Sequence, residues 1–92
     1  MELLTEDQIS VQLTGLAGWT RTGNSIVHVE TRDDFSAAMR YVGAVADLAE
    51  ADNHHPDILI QWNKVTLTLS THSAGGLTAK DFALAGRISS LS

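Results

Sequence analysis

The sequence predicts an α+β domain with elements in the order α-β-β-α-β-β-α: a four-stranded antiparallel sheet with three helices packed on one face. Three observations carry this expectation. Apolar residues recur every three to four positions from Phe35 to Ala49, two pairs of short runs alternate with period two across polar turns, and capping patterns stand at Thr5 and Thr78. The 92 residues suffice for one domain, residues 1–92, with a modest core that favours oligomerisation.

The elements follow in order. Thr5-Glu6-Asp7-Gln8 has the form of a capping box, and Ile9, Leu13 and Leu16 continue at helical spacing until Gly15 and Gly18 close the helix. Residues 19–22 and 26–30 read as strands around a Gly23-Asn24 turn. Thr31 or Asp33 can cap the second helix, whose apolar positions are Phe35, Ala38, Met39, Val42, Val45, Ala46 and Ala49, with Asn53 as its stop and Pro56 beyond. Residues 58–62 and 65–71 alternate and are joined by Asn63-Lys64. Val65, Leu67 and Leu69 point one way, and Thr66, Thr68, Ser70 and His72 point the other. That polar face is expected to meet solvent, a ligand or another subunit. Thr78 caps the last helix, with Asp81 at its third position and Leu77 and Phe82 as a hydrophobic staple.

Composition narrows the function. Eleven acidic residues outnumber six scattered basic ones, so the chain lacks the basic face that phosphate backbones require, and no direct nucleic-acid binding is expected. No apolar run approaches the roughly 18 residues of a membrane span, and the N-terminus has no signal-peptide pattern. Without cysteine there are neither disulfides nor thiolate metal sites, and a cytoplasmic location is the expectation.

Three of the four histidines, His54, His55 and His72, fall between Glu50 and Asp81, and imidazole exchanges protons near neutrality. His54 and His55 lie in the loop between the second helix and the third strand, where Pro56 biases His55 toward extended backbone. Adjacent extended residues point apart, so the two rings are expected to do different jobs. The competing reading is a polar loop that merely stops a helix. Antiparallel pairing of the last two strands brings His54 and His72 to one end of the hairpin, where both are candidate acids or bases. Asp81 serves a cap as naturally as a site, Glu50 can be a solvated carboxylate, and Trp62 fits core or interface before ligand. His28, alternating out of Val27-His28-Val29, is expected to be exposed and passive. Metal is disfavoured because no i, i+4 histidine pair exists and neighbouring His54 and His55 converge poorly on one ion. No Gly-x-Ser-x-Gly elbow and no phosphate-binding glycine loop occur.

Glu50, three residues, His54-His55-Pro56, five residues, Trp62, nine residues, His72, eight residues and Asp81 together resemble the signature of the pterin-4a-carbinolamine dehydratases. Asn63-Lys64-Val65, Leu69-Ser70-Thr71-His72 and Gly76-Leu77-Thr78 are similar to that family's wording, as more loosely are Leu4-Thr5, Gly18-Trp19 and Asp34-Phe35. The resemblance implies a hydro-lyase that converts 4a-hydroxytetrahydrobiopterin to quinonoid dihydrobiopterin and water, supporting recycling of the pterin. It implies no cofactor, a homodimer or homotetramer, and a pterin as the small-molecule partner. It also implies acid–base work by His54 and His72, catalytic binding and orientation of the pterin by His55, and substrate contacts from Glu50, Asp81 and Trp62. After Pro56 this chain has Asp57-Ile58-Leu59-Ile60 where relatives often show an aromatic. The alternative is a non-catalytic binding or assembly role on the same fold, as in family members that act as dimerisation cofactors for transcription factors or assist assembly of a carbon-fixing enzyme. Retention of all three histidines disfavours it.

Overall fold

The computed structural model describes residues 2–91. Its elements run α1 (Glu6–Thr14), β1 (Trp19–Thr22), β2 (Ser25–Thr31), α2 (Phe35–Asp52), β3 (Asp57–Gln61), β4 (Lys64–Leu69), a 3-10 turn (His72–Ala74) and α3 (Ala79–Ser89). The strands form one antiparallel sheet in the order β1-β2-β4-β3, so the expected class and element order hold.

One face of the sheet supplies the core. Val65, Leu67 and Leu69 are fully buried on β4, as are Ile26 on β2 and Val45, Leu84 and Ile88 from the helices. The other face carries Thr66 and Thr68 opposite Val29 and Val27, with Leu59 and Asp57 across from them on β3. Val29 and Leu59 on it are 50% and 54% exposed, so no helix among the described residues covers that face. At the β1 edge the Arg21 guanidinium pairs with both carboxylate oxygens of Glu6, at 2.7 and 2.9 Å, and ties α1 to the sheet. That hydrogen bond holds the Glu6 carboxyl below the ordinary carboxylate range.

Several local expectations are corrected. Asp34, not Thr31 or Asp33, caps α2, its side chain accepting from Ala37 N–H at 2.8 Å. Extended β2 runs through Thr31, so the first residue free to cap comes later. The β3–β4 turn is Trp62-Asn63 and not Asn63-Lys64, because Gln61 pairs with Lys64. Asn63 is held there by two bonds to Arg32: its Nδ2–H donates to the Arg32 carbonyl at 3.0 Å, and its own carbonyl accepts from Arg32 N–H at 2.9 Å. Trp62 therefore leaves the strand, takes φ of 54° and is 63% exposed. β4 ends at Leu69, two residues earlier than the alternation suggests, since the chain turns into the 3-10 segment at His72.

His28 is neither exposed nor passive. It pairs across β1–β2 with buried Trp19 and faces the helices, stacking on the indole at 5.2 Å between ring centres. Its Nδ1 bonds the Gly18 carbonyl at 2.7 Å and its Nε2 the Glu30 carboxylate at 2.8 Å. Two flanking valines suggest the opposite phase, but Ile26 fixes the strand and the polar ring finds its partners inside. On α2 the buried stripe is Ala38, Tyr41, Val45 and Ala49. Phe35 and Met39, apolar positions of the same periodic pattern, lie on the adjacent stripe and stay 50% and 40% exposed.

Candidate active site

The end of α2 sets the first two histidines. Asn53 adopts the left-handed conformation at φ 50°, which asparagine tolerates better than most residues, and its N–H reaches back to the helix carbonyls. His54 N–H then bonds the Ala49 carbonyl at 3.1 Å, fixing the direction in which His54 leaves the helix. Its side chain turns inward and is only 10% exposed, while that of His55, held extended ahead of Pro56, is 56% exposed. The two rings do point apart, as extended neighbours should.

His54 Nε2 lies 2.6 Å from Asp81 Oδ1. Asp81 is fully buried, and its other oxygen accepts from the Thr71 hydroxyl at 2.8 Å and from Thr78 N–H at 2.9 Å. The latter bond closes the reciprocal capping box at the start of α3. The same carboxylate thus caps a helix and grips an imidazole, so the two readings of Asp81 coexist. An ionised carboxylate only accepts, so Nε2 carries the proton in this bond and Nδ1 is the nitrogen left for other partners. No bond to Nδ1 occurs among the described residues.

Asn53, His54, His55, Ser70, Thr71, His72 and Ser73 line a cleft of about 260 Å³ at the end of the hairpin. His54 and His72 are thus brought to the same end of the hairpin, as expected, and His55 lines the same cleft. His72 opens the 3-10 turn, is exposed, and its ring bonds nothing among the described residues. His55 Nε2 contacts Glu50 Oε2 at 2.5 Å on the surface beside the cleft. Glu50 and His55 pair with each other, His54 and Asp81 pair with each other, and the histidine of each pair lines the one opening. Trp62 is not among them: it sits at the opposite end of the hairpin, about 17 Å away at roughly 3.3–3.4 Å per residue along β3. No group of three or more His, Asp or Glu side chains among the described residues is arranged to hold a metal ion.

Two site residues escaped the sequence reading. Thr71 and Thr78 are both buried, and their hydroxyls lie 2.8 Å apart. Thr71 shares the parity of Leu67 and Leu69, which was the available signal: a hydroxyl on the apolar face must find a buried partner.

Residues 2–91 match the family described as "Pterin 4 alpha carbinolamine dehydratase". The chain belongs to that family. A protein of Roseiflexus castenholzii is 55% identical over 94% of this chain and 92% of its own, and one of Mycobacteroides abscessus is 52% identical over 96% and 94%. Both are named "Putative pterin-4-alpha-carbinolamine dehydratase". A crystal structure from Brucella melitensis, titled a transcriptional coactivator/pterin dehydratase, superposes with a TM-score of 0.91 at 32% identity, covering 96% of each chain. The family is one of hydro-lyases, enzymes that remove water, and the chain is a hydro-lyase by that membership. No helix among the described residues is long and apolar enough to cross a membrane.

Proposed function

We propose that this chain dehydrates 4a-hydroxytetrahydrobiopterin to quinonoid dihydrobiopterin and water, with His54 and His72 exchanging the protons and His55 orienting the pterin. The observation that carries this reading is the single cleft lined by all three imidazoles, one of them backed by a buried carboxylate. The reaction needs one proton delivered to the 4a-hydroxyl as it leaves and one removed from a ring nitrogen, so two histidines in opposite protonation states suffice. General acid–base assistance of this kind contributes roughly 10²–10⁴-fold. No step needs a metal or organic cofactor. Glu50 steadies His55 at the rim, and Asp81 acts on the pterin through His54. The Trp62 contact inferred from the resemblance has no support within one chain.

A homo-oligomer fits the half-exposed Phe35 and Met39 stripe on α2, which a second copy can cover, and the cysteine-free composition supports a cytoplasmic location. The same stripe, together with the name transcriptional coactivator/pterin dehydratase given to the Brucella protein, supports a second reading as a binding or assembly protein. The acidic charge argues against direct contact with nucleic acid in either case. The test is optical: generate the 4a-carbinolamine and follow its decay with and without protein. Acceleration proportional to protein concentration supports the dehydratase. Decay no faster than buffer, with folded protein, favours the binding role.

A further inference from the structure

We propose that Thr71 is a positioning residue for both proton-exchanging histidines, acting through a hydroxyl relay whose direction is dictated by the Asp81 carboxylate. The proposal rests on the dehydratase reading for its kinetic consequence, while its structural claim stands apart from activity.

The argument begins with donors and acceptors. Asp81 Oδ2 accepts from Thr71 Oγ1, so the single hydroxyl proton of Thr71 is committed to the carboxylate. The 2.8 Å contact between the two hydroxyls must then be made by Thr78, donating to Thr71. Thr78 in turn accepts from Lys80 N–H at 3.3 Å at the start of α3. One direction of donation therefore runs from the α3 backbone through Thr78 and Thr71 to Asp81, and Asp81 meets His54 Nε2–H from the other side. Thr78 is fully buried, Thr71 is 5% exposed and Asp81 is fully buried, so water does not compete for these partners. Hydrogen bonds in such a dry chain polarise one another.

The backbone of Thr71 handles the second histidine. Its N–H bonds the Gly76 carbonyl at 2.9 Å, and its carbonyl accepts from Ala74 and Gly75, each at 3.0 Å. Those bonds close the turn that begins at His72. The residue before one reactive ring thus holds that ring's turn by its main chain and the other ring's carboxylate by its side chain. A slip of Thr71 would move His54 and His72 relative to each other, and oriented catalysis is sensitive to displacements of that size.

The test compares Thr71→Val, which keeps the shape and deletes the hydroxyl, with Thr71→Ser, which keeps the hydroxyl and deletes a methyl. Two readouts are taken: the ¹H and ¹⁵N shifts of the His54 Nε2–H group in ligand-free protein, which report its bond to Asp81, and kcat and KM for the 4a-carbinolamine. The relay predicts that Val moves the Nε2–H resonance away from its wild-type position and drops kcat about tenfold or more with KM changed less. Ser is predicted to restore the resonance and to bring kcat within about threefold of wild type. Wild-type resonance and kcat in Val overturn the proposal, as does a Ser variant impaired as badly as Val, since the methyl would then matter and not the hydroxyl. If Val does not fold, Thr71→Ala against Ser makes the same comparison. If the wild type has no dehydratase activity, the functional reading fails by itself and the Nε2–H resonance still decides the relay.

Discussion

Replacing Asp81 with asparagine changes one atom in a buried site, and the structure dictates which. In the native chain Oδ2 accepts from Thr71 and Thr78, while Oδ1 faces His54 Nε2. The asparagine carbonyl must take the Oδ2 place, because the reverse orientation sets Thr78 N–H against an amide N–H. An unsatisfied buried donor of that kind costs about 1–3 kcal/mol. The amide nitrogen then faces His54 and donates, so Nε2 must accept and the ring proton moves to Nδ1. The cleft loses the lone pair that Nδ1 offered, and a hydrogen bond to a charged partner, worth about 1.5–3 kcal/mol, becomes a neutral one. If that difference, about 1–1.5 kcal/mol, is felt in the transition state, kcat falls by roughly 5- to 13-fold. Folding is affected less, since Asn still accepts from the α3 N-cap. The assay is carbinolamine decay at saturating pterin, with thermal unfolding followed by circular dichroism as the control for folding. Asp81→Asn with kcat within twofold of wild type, or with an unchanged His54 tautomer, would refute the reasoning.

Other outcomes follow from single features. Burial, reinforced by the Glu30 charge and opposed by Arg32, pushes the Tyr41 phenol up to about 12. Because the folded value lies above the ordinary one of 10.0, this group's stabilisation is full below pH 10 and is lost as pH rises toward 12. Absorbance at the phenolate band, from the chain's one tyrosine, should therefore rise only near the upper end of that window; a midpoint at pH 10 contradicts it. Gly18 has φ of 86°, and a Cβ there would stand 3.2 Å from the His28 ring. Gly18→Ala should cost about 1–2 kcal/mol and lower Tm by at least about 4 °C, measured by thermal melting. Trp62 holds a left-handed backbone with its indole mostly in solvent. Trp62→Gly should gain about 1 kcal/mol, raise Tm by about 4–8 °C and leave kcat/KM within about twofold; a large loss of activity would bring Trp62 to a site through a second chain.

The parts legible in the sequence share a cause. Capping boxes at Thr5 and Thr78, the αL stop at Asn53 and the alternation of Val65, Leu67 and Leu69 are local, and each was readable because a few neighbouring residues determine it. The convergence of His54 with His72 was also legible, since hairpin pairing depends on short-range order. What stayed hidden needed tertiary partners. His28 turns inward because Gly18, Trp19 and Glu30 receive it. The turn falls on Trp62-Asn63 because Asn63 is anchored to Arg32, thirty-one positions away. The apolar stripe on α2 is wider than the sheet beneath it can cover, so periodicity alone could not say that Phe35 and Met39 remain outside. Thr71 looked like one more strand threonine until Asp81 and Thr78 closed around it.

The central claim is that His54 and His72 exchange protons with one pterin in one cleft. A kinetic cycle with His54→Ala, His72→Ala and the double variant, following carbinolamine decay over buffer, tests it most directly. Each single variant should lose roughly 10²–10⁴-fold in kcat, and the double should lose much less than the product of the two, because the rings act as a unit on the same molecule. Single variants that keep the wild-type rate, or losses that simply multiply, would contradict it.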